Sequence, residues 1–158
     1  MTLKIRSMLA DDKPSVMHIL KTTSEFKPVE VVVAGELIDS YLKQGKVSGY
    51  NLFVAEDNGA ILGYICFGDT PLTEGTWDVY WIAVLKQQQG KGIGRALMSA
   101  AETEIQDNKG RLILIETSST IEYEKTRQFY ISIGYTVICR VRDFYTPGDD
   151  KIVLEKRL

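Results

Sequence analysis

The stretch from Gln87 to Met98, QQQGKGIGRALM, constrains the fold of this chain more than any other. Three glycines at alternate positions separate an apolar, strand-like run from an amphipathic, helix-like run. Glycine has no Cβ, so backbone N–H groups can approach a ligand closely here. The first turn of the helix adds unpaired donors and the positive dipole end, and Lys91 and Arg95 add positive charge. The junction therefore predicts a phosphate or pyrophosphate site, and the alternative is a plain glycine-rich turn.

Two common phosphate motifs do not fit this stretch. A Walker loop needs Ser or Thr after its Gly-Lys, whereas Gly92 follows Gly90-Lys91. The dinucleotide pattern G-x-G-x-x-G/A fails because Arg95 and Leu97 stand where a small residue lets helix and strand pack closely. The pattern that fits is Gln89-x-x-Gly92-x-Gly94, which resembles the coenzyme A pyrophosphate loop of the GNAT family of N-acetyltransferases.

Composition and charge narrow the class of protein. The chain has 158 residues, of which 44% are hydrophobic and 25% charged, and this suits one domain over residues 1–158. The net charge is −2 and basic residues are scattered, which argues against nucleic-acid and membrane partners. Cys66 and Cys139 lie in apolar runs, which is typical of buried thiols in a reducing compartment. With no signal or membrane-spanning pattern, we expect a cytoplasmic protein.

Apolar periodicity predicts the first half of the chain as a strand, two helices and a hairpin. The strand covers residues 3–8, the first helix is capped by Asp11 or Asp12, and the second begins near Val31. The hairpin turns across Asp57-Asn58-Gly59, which suits positive φ. The lone histidine, His18, has no Cys, His or carboxylate at ligand spacing, so no metal site is expected.

The second half alternates strands and helices around the glycine stretch. An apolar strand at 77–85 precedes it, and a continuous apolar run at 112–119 follows the helix, which implies a right-handed parallel crossover. A last helix is predicted at 121–133, and strands at 135–141 and 152–158 flank a polar loop at 142–150. The order β-α-α-β-β-β-α-β-α-β-β is that of the GNAT family. The resemblance implies a mixed α/β domain with a mostly antiparallel sheet, in which the parallel strands 4 and 5 splay apart.

A second motif, Phe129-Tyr130-Ile131-Ser132-Ile133-Gly134-Tyr135, is similar to the family's F/L-Y-x-x-x-G-F/Y helix end. In the family, the matching tyrosine often protonates the departing coenzyme A thiolate, so Tyr130 is the expected general acid. The alternative is a packing aromatic beside Phe129. The resemblance further implies that acetyl-coenzyme A is the co-substrate and binds the residues of the glycine loop, which are Gln89, Gly90, Lys91, Gly92, Ile93, Gly94 and Arg95.

The resemblance also implies roles for strand residues. Backbone groups of Ile82, Ala83 and Val84 are expected to bind the pantetheine arm and thioester carbonyl, with a β-bulge there freeing an N–H. Tyr123 stands where many members have a pantetheine-binding asparagine, and Ser118 is a candidate to replace it.

Two carboxylates are candidates for the general base that deprotonates the acceptor amine. Glu116 matches a glutamate of members that acetylate protein N-termini, and Asp78 matches a glutamate position of histone-type members. The alternative for each is a charge at a strand end. Tyr145 resembles the peptide-holding tyrosine of N-terminal acetyltransferases, with a packed hairpin aromatic as its alternative.

The sequence thus predicts an N-acetyltransferase acting on a primary amine, with some resemblance to the ribosomal-protein N-terminal branch of the family. A small-molecule amine and a peptide amine both stay open as acceptors, as does a homodimer. A non-catalytic acyl-coenzyme A sensor and, less consistent with the motif, a nicotinamide oxidoreductase with Glu116 as ribose ligand are the other functions considered.

Overall fold

The computed structural model describes residues 1–158 and contains seven strands and four α-helices. The strands are β1 (Leu3–Ser7), β2 (Asn51–Asp57), β3 (Ala60–Asp69), β4 (Thr76–Val84), β5 (Leu112–Ser118), β6 (Thr136–Thr146) and β7 (Asp149–Arg157). The helices are α1 (Lys13–Thr22), α2 (Pro28–Gln44), α3 (Ile93–Asp107) and α4 (Glu124–Ser132). Short 3-10 turns lie at Ala10–Asp12, Gly45–Ser48, Lys86–Gln88 and Ile121–Tyr123. The predicted element order is confirmed.

All strands form one sheet in the order β1-β2-β3-β4-β5-β7-β6. Every pair is antiparallel except β4 and β5, which are parallel. The β4–β5 pairing runs only from Thr76–Leu112 to Val79–Ile115, although β4 continues to Val84 and β5 to Ser118. The two parallel strands therefore diverge beyond Val79, as the family resemblance implied.

The helices cover the two faces of the sheet and enclose two apolar cores. Helices α1 and α2 pack on one face, where Ile19 and Ile38 are almost fully buried. Helices α3 and α4 pack on the other face, and Leu97 and Ile105 of α3 are fully buried there. Burying such a side chain contributes about 1.5–3 kcal/mol, so these stripes hold α3 and its N-terminus in place.

The hairpin between β2 and β3 has the predicted turn. Asn58 and Gly59 have φ angles of 50° and 83°, which is the geometry of a two-residue turn with both central residues left-handed. The pairing begins directly at Asp57–Ala60.

The predicted polar loop at 142–150 is wrong in part, because β6 and β7 extend into it and turn at Pro147-Gly148, although residues 142–145 bulge out and have no partner on β7. Asp143 makes this possible: its N–H donates to Asp150 Oδ1 at 2.9 Å, and its Oδ1 accepts the Gly148 N–H at 2.7 Å. Polar residues are tolerated because β6 is an edge strand with every residue exposed.

The prediction that both cysteines are buried is half right. Cys66 lies in the core, whereas Cys139 is exposed on β6. An apolar run marks a strand but does not reveal whether a helix covers it, and nothing covers β6.

Helix α1 begins directly after Asp12, as predicted, whereas α2 begins earlier than predicted. Asp12 does not cap α1 with its side chain; its carboxylate instead accepts the Leu9 N–H at 2.7 Å and pairs with Arg6. Helix α2 begins at Pro28, three residues before Val31, because proline suits a first turn and Glu30 accepts the Lys27 N–H at 2.6 Å. No helix is both long and apolar enough to cross a membrane.

Candidate active site

The divergence of β4 and β5 opens a cleft of about 1060 Å³ through the sheet. Its walls come from both strand ends, the loop before α3, helix α4, the connection between α1 and α2, and the β6–β7 hairpin. Every predicted site residue except Lys91 lines this cleft. Residues far apart in sequence are thus brought together by the one place where strand pairing fails.

The glycine loop forms an open cradle at one end of the cleft. Gly90 and Gly92 have φ angles of 77° and 83°, and a Cβ built on either meets no atom within 4 Å. Gly92 is the N-cap of α3, and no side chain caps that turn. The first N–H groups of this 15-residue helix therefore have no capping side chain, which suits a phosphate group.

Side chains of the loop hold its shape. Gln89 Nε2 donates to the Val84 carbonyl at 3.2 Å, which ties the loop to the end of β4. Lys91 Nζ donates to Gln88 Oε1 at 2.9 Å, so Lys91 lies beside the cradle and outside the cleft lining. Gln88 itself lines the cleft and was not predicted.

Gly94 has a different role from the other two glycines. It is helical, and a Cβ at this position would lie 3.3 Å from Phe129 Cζ. The absence of a side chain at Gly94 therefore lets α4 approach α3 closely, which fixes the position of the neighbouring Tyr130.

Tyr130 of α4 is 5% exposed and lines the cleft. Its ring packs against Phe129 and Tyr135, with centroids 5.5 and 6.0 Å away. Its hydroxyl has no hydrogen-bond partner in the protein and is not sealed from solvent, whereas the Tyr135 hydroxyl donates to Glu102 at 3.0 Å. Burial raises the pKa of Tyr130 well above its usual value, so the phenol stays protonated at neutral pH.

The two predicted base candidates lie on the α1–α2 face of the sheet. Trp77 and Val79 point into the core under α3, so the alternation along β4 directs Asp78 to the opposite face. Asp78 Oδ2 accepts a hydrogen bond from Thr70 Oγ1 at 2.5 Å. Glu116, the first β5 residue beyond the last β4 pair, is 3.0 Å from Lys151 Nζ and half-exposed.

The predicted position of the β-bulge is wrong. Ile82, Ala83 and Val84 pair regularly with β3, and the register instead skips Tyr80, between Val79 and Trp81. A bulge bends the strand that contains it. The bulge at Tyr80 directly follows Val79, the last β4 residue that pairs with β5. The edge of β4 beyond Val79 has no strand partner, and its backbone groups there face the cleft.

Ser118 and Tyr123, the predicted pantetheine contacts, form hydrogen bonds within the protein. The Ser118 hydroxyl donates to Asp149 Oδ1 at 2.5 Å and accepts the Thr120 N–H at 3.1 Å. The Tyr123 hydroxyl donates to the Glu25 carbonyl at 2.9 Å. These bonds tie the β5 end to the β6–β7 hairpin and to the α1–α2 connection, so both residues shape the cleft wall.

Tyr145, at the end of β6, lines the cleft and is half-exposed. Its ring packs edge-on against Phe144 at 5.0 Å, and Lys151 lies 4.1 Å above the Phe144 ring. Partial burial raises the pKa of Tyr145, and the negative charges of Glu116, Asp149 and Glu30 raise it further.

Several cleft residues were missed by sequence reasoning. They lie on the α1–α2 connection, in the first two turns of α2 and at the start of β7, and include Glu25, Phe26, Val29, Glu30, Val33 and Asp149. No local pattern in the sequence marks them, because they become neighbours of the glycine loop only in the folded chain.

The match to a family model decides the assignment of the chain. The model described as an acetyltransferase (GNAT) domain matches residues 48–137, more than half of the chain. This protein belongs to the GNAT acetyltransferase family. The nicotinamide alternative thereby loses its basis, since the loop that suggested it is this family's loop.

Solved structures agree with this family assignment. A GNAT-family protein from Desulfovibrio desulfuricans is 38% identical, with a TM-score of 0.95 and 99% coverage of both chains. The ribosomal-protein-S18-alanine N-acetyltransferase of Escherichia coli shares the fold at 21% identity, with a TM-score of 0.77, 99% coverage of this chain and 94% of that chain. Three further neighbours of this fold, at 15 to 20% identity, contain coenzyme A or acetyl-coenzyme A.

Curated relatives match over shorter ranges. The L-amino acid N-acyltransferase MnaT of Escherichia coli is 28% identical over 60% of this chain and 55% of its own length. A second N-acetyltransferase relative, from Methanocaldococcus jannaschii, is matched over 65% of its length. The chain therefore spans less than two thirds of the curated relatives it matches.

Proposed function

We propose that this protein transfers the acetyl group of acetyl-coenzyme A to a primary amine by direct attack within a ternary complex. The observation that carries the proposal is the divergence of β4 and β5, which opens one cleft lined by both the glycine loop and Tyr130. It offers a passage through the sheet, with a phosphate cradle at one end and an ionisable, unpartnered phenol inside.

The residues present fit coenzyme A. The uncapped N-terminus of α3, with Gly90 and Gly92, suits the pyrophosphate, and Arg95 lines the same end of the cleft. The free backbone edge of β4 at Ile82–Val84 suits the pantetheine amides and the thioester carbonyl. When bound, acetyl-coenzyme A supplies an acyl group activated as a thioester.

Tyr130 suits the role of general acid. Its burial keeps the phenol protonated, and its hydroxyl makes no bond that would have to break before proton transfer. A coenzyme A thiol has a pKa of about 8.5, so its thiolate leaves more readily when a phenol donates a proton.

The acceptor amine is mostly charged at neutral pH and must lose a proton before attack. Glu116 and Asp78 lie on the acceptor face of the sheet, and we propose that one of them takes this proton directly or through water. Glu116 is the stronger candidate because it stands where β5 has just left β4, whereas Asp78 lies below the last paired residues.

We propose that the acceptor enters between the α1–α2 connection and the β6–β7 hairpin. Val29, Val33 and Tyr145 give this entrance apolar walls, which suits either a small-molecule amine or a peptide amine. The half-exposed ring of Tyr145 makes it the proposed substrate contact.

Thiol release tests the function. The protein is incubated with acetyl-coenzyme A and a panel of amines, and free coenzyme A is measured against a no-amine control. We expect amine-dependent release with one acetylated product per thiol. Tight acetyl-coenzyme A binding by calorimetry without amine-dependent release for any acceptor would instead support the acyl-coenzyme A sensor.

A further inference from the structure

The acceptor side of the cleft carries more negative charge than the removal of one proton requires. Its lining carboxylates are Glu25, Glu30, Asp78, Glu116 and Asp149. Lys27, on the connection between α1 and α2, has an exposed side chain with no carboxylate partner within ion-pair distance. The other lining cations, Arg95 and Lys125, belong to α3 and α4 on the coenzyme A side.

Asp149 is the most informative of these carboxylates, because it is only 8% exposed. Its Oδ1 accepts the Ser118 hydroxyl at 2.5 Å, and no protein group donates to its Oδ2. Since no buried oxygen in the protein lacks a partner, Oδ2 is accessible to solvent, and Asp149 is one of the residues that line the cleft. A buried carboxylate with one free oxygen is costly unless a positive group or water meets it.

Glu25, on the α1–α2 connection, and Glu30, in the first turn of α2, line the same cleft. Burial, together with the charges of Glu30, Glu25 and Asp149, raises the pKa of Tyr123, so these groups lie within electrostatic range of one phenol. The Glu25 side chain forms no ion pair, and Glu30 receives only the Lys27 backbone N–H. Of the five lining carboxylates, only Glu116 forms an ion pair, with Lys151, so the charges of Glu25, Glu30 and Asp149 are not paired within the protein.

We propose that the acceptor carries a second cationic group besides the amine that is acetylated, and that Asp149, with Glu25 and Glu30, binds this second charge. The inference rests on the proposed acetyltransferase function and names its substrate class. Diamines and polyamines, or peptides with a basic residue near the reacting amine, share this chemistry. A free amino acid fits poorly, because its carboxylate would face the same three acids.

A matched set of acceptors tests the inference in the wild-type protein. The set is 1,4-diaminobutane, n-butylamine and 4-aminobutyrate, which share a four-carbon chain and differ in the charge at the far end. We expect kcat/KM for the diamine to exceed that for butylamine about tenfold or more, and 4-aminobutyrate to be the poorest acceptor. Equal rates for the diamine and butylamine would overturn the inference.

A second arm identifies the source of the charge. Alanyl-lysine amide is compared with alanyl-glutamine amide, and the ratio of their kcat/KM values is set beside the diamine ratio. The arm with the larger ratio and the higher kcat/KM indicates whether a basic peptide or a small polyamine is the natural class. A ratio near one in both arms contradicts the second-charge subsite.

The variant Asp149→Asn removes the charge and keeps an oxygen that can accept from Ser118. We expect the diamine-to-butylamine ratio of kcat/KM to fall at least about fivefold, because the ratio cancels any general loss of activity. Glu122→Gln is the matched control, since Glu122 is an exposed acid nearby that does not line the cleft. If Asp149→Asn does not fold, Glu25→Gln serves, because the Glu25 side chain makes no hydrogen bond.

Calorimetry separates this inference from the proposed function. Diaminobutane and butylamine are titrated into the protein saturated with coenzyme A, which needs no turnover. We expect the diamine to bind about tenfold more tightly, with a difference that shrinks at high salt. Tighter diamine binding without thiol release would leave the subsite intact and refute the transferase. Thiol release without a diamine preference in either experiment would support the transferase and refute the subsite.

Discussion

Gly94 of α3 packs against Phe129 of α4, so that a Cβ added to Gly94 would lie 3.3 Å from the Phe129 ring. The last glycine of the coenzyme A motif is thus a spacer between two helices. The cradle itself is formed by Gly90 and Gly92, where an added Cβ would enter open space.

We therefore expect Gly94→Val to lower the stability of the protein by about 1–3 kcal/mol, because the branched side chain overpacks the contact with Phe129. Thermal unfolding measures this loss. The double variant Gly94→Val with Phe129→Leu should recover part of it. A Gly94→Val protein that is as stable as wild type would contradict the spacer role.

Gly92→Ala should weaken coenzyme A binding at least about tenfold, because a methyl group at φ 83° projects toward the phosphate cradle. Gly59→Ala is the matched control, since Gly59 has the same φ, an equally open Cβ position and a place in a distant hairpin. Both variants should lose similar stability, about 1–2 kcal/mol. Calorimetry should then show weakened binding for Gly92→Ala alone; equal affinities would argue against the cradle.

Tyr130→Phe should leave coenzyme A affinity nearly unchanged and lower kcat about 10²-fold, the low end for a general acid. Only the phenolic proton is lost, while the ring keeps its packing against Phe129 and Tyr135. A raised pKa means that the acid stays protonated as pH rises, so the wild-type kcat should show no alkaline decline below about pH 10 from this group. Single-turnover rates measure the effect, and a wild-type rate for the variant would exclude Tyr130 as the acid.

Glu116→Gln should lower kcat about 10²- to 10³-fold if Glu116 is the base, whereas Asp78→Asn should have the smaller effect. The wild-type kcat should fall as pH is lowered, because a protonated amine cannot attack the thioester. Comparing the two variants by kcat against pH measures this. A larger loss for Asp78→Asn would assign the role to the carboxylate held by Thr70.

Asp12 gives the protein a pH-dependent stability. The hydrogen bond and charge of Arg6 hold the pKa of Asp12 below its usual value, so the unfolded chain binds the proton more strongly. The contribution is present above about pH 4 and is lost as pH falls through the folded-state pKa. Asp12→Asn should cost about 1.5–3 kcal/mol at pH 7 and progressively less below pH 4. The exposed neighbour Asp11 supplies the control, as Asp11→Asn should change the melting temperature little at any pH.

Some of the site could be predicted because its function depends on local backbone geometry. The Gln89–Gly94 motif needs glycines and a helix start in one short segment, and both the cradle and the helix start lie there. Tyr130 could be predicted as a cleft residue for a similar reason, since its motif fixes where α4 ends.

Other predictions failed where the property of a residue depends on which elements pack or pair with its strand. Cys139 lies in an apolar strand pattern, yet its strand is the uncovered edge of the sheet. The bulge was placed at Ile82–Val84 but lies at Tyr80, because its position depends on where β5 leaves β4.

The sequence by itself determined the element order, the glycine loop at the start of α3 and the family, because each rests on patterns within about fifteen neighbouring residues, the scale of one helix or hairpin. Only the tertiary structure decided which carboxylates share the cleft. Glu25 and Glu30 precede Asp149 by more than a hundred residues, and they share one cleft because β7 inserts between β5 and β6. Electrostatic interactions depend on distance in space, and that distance is set by the packing of the whole sheet.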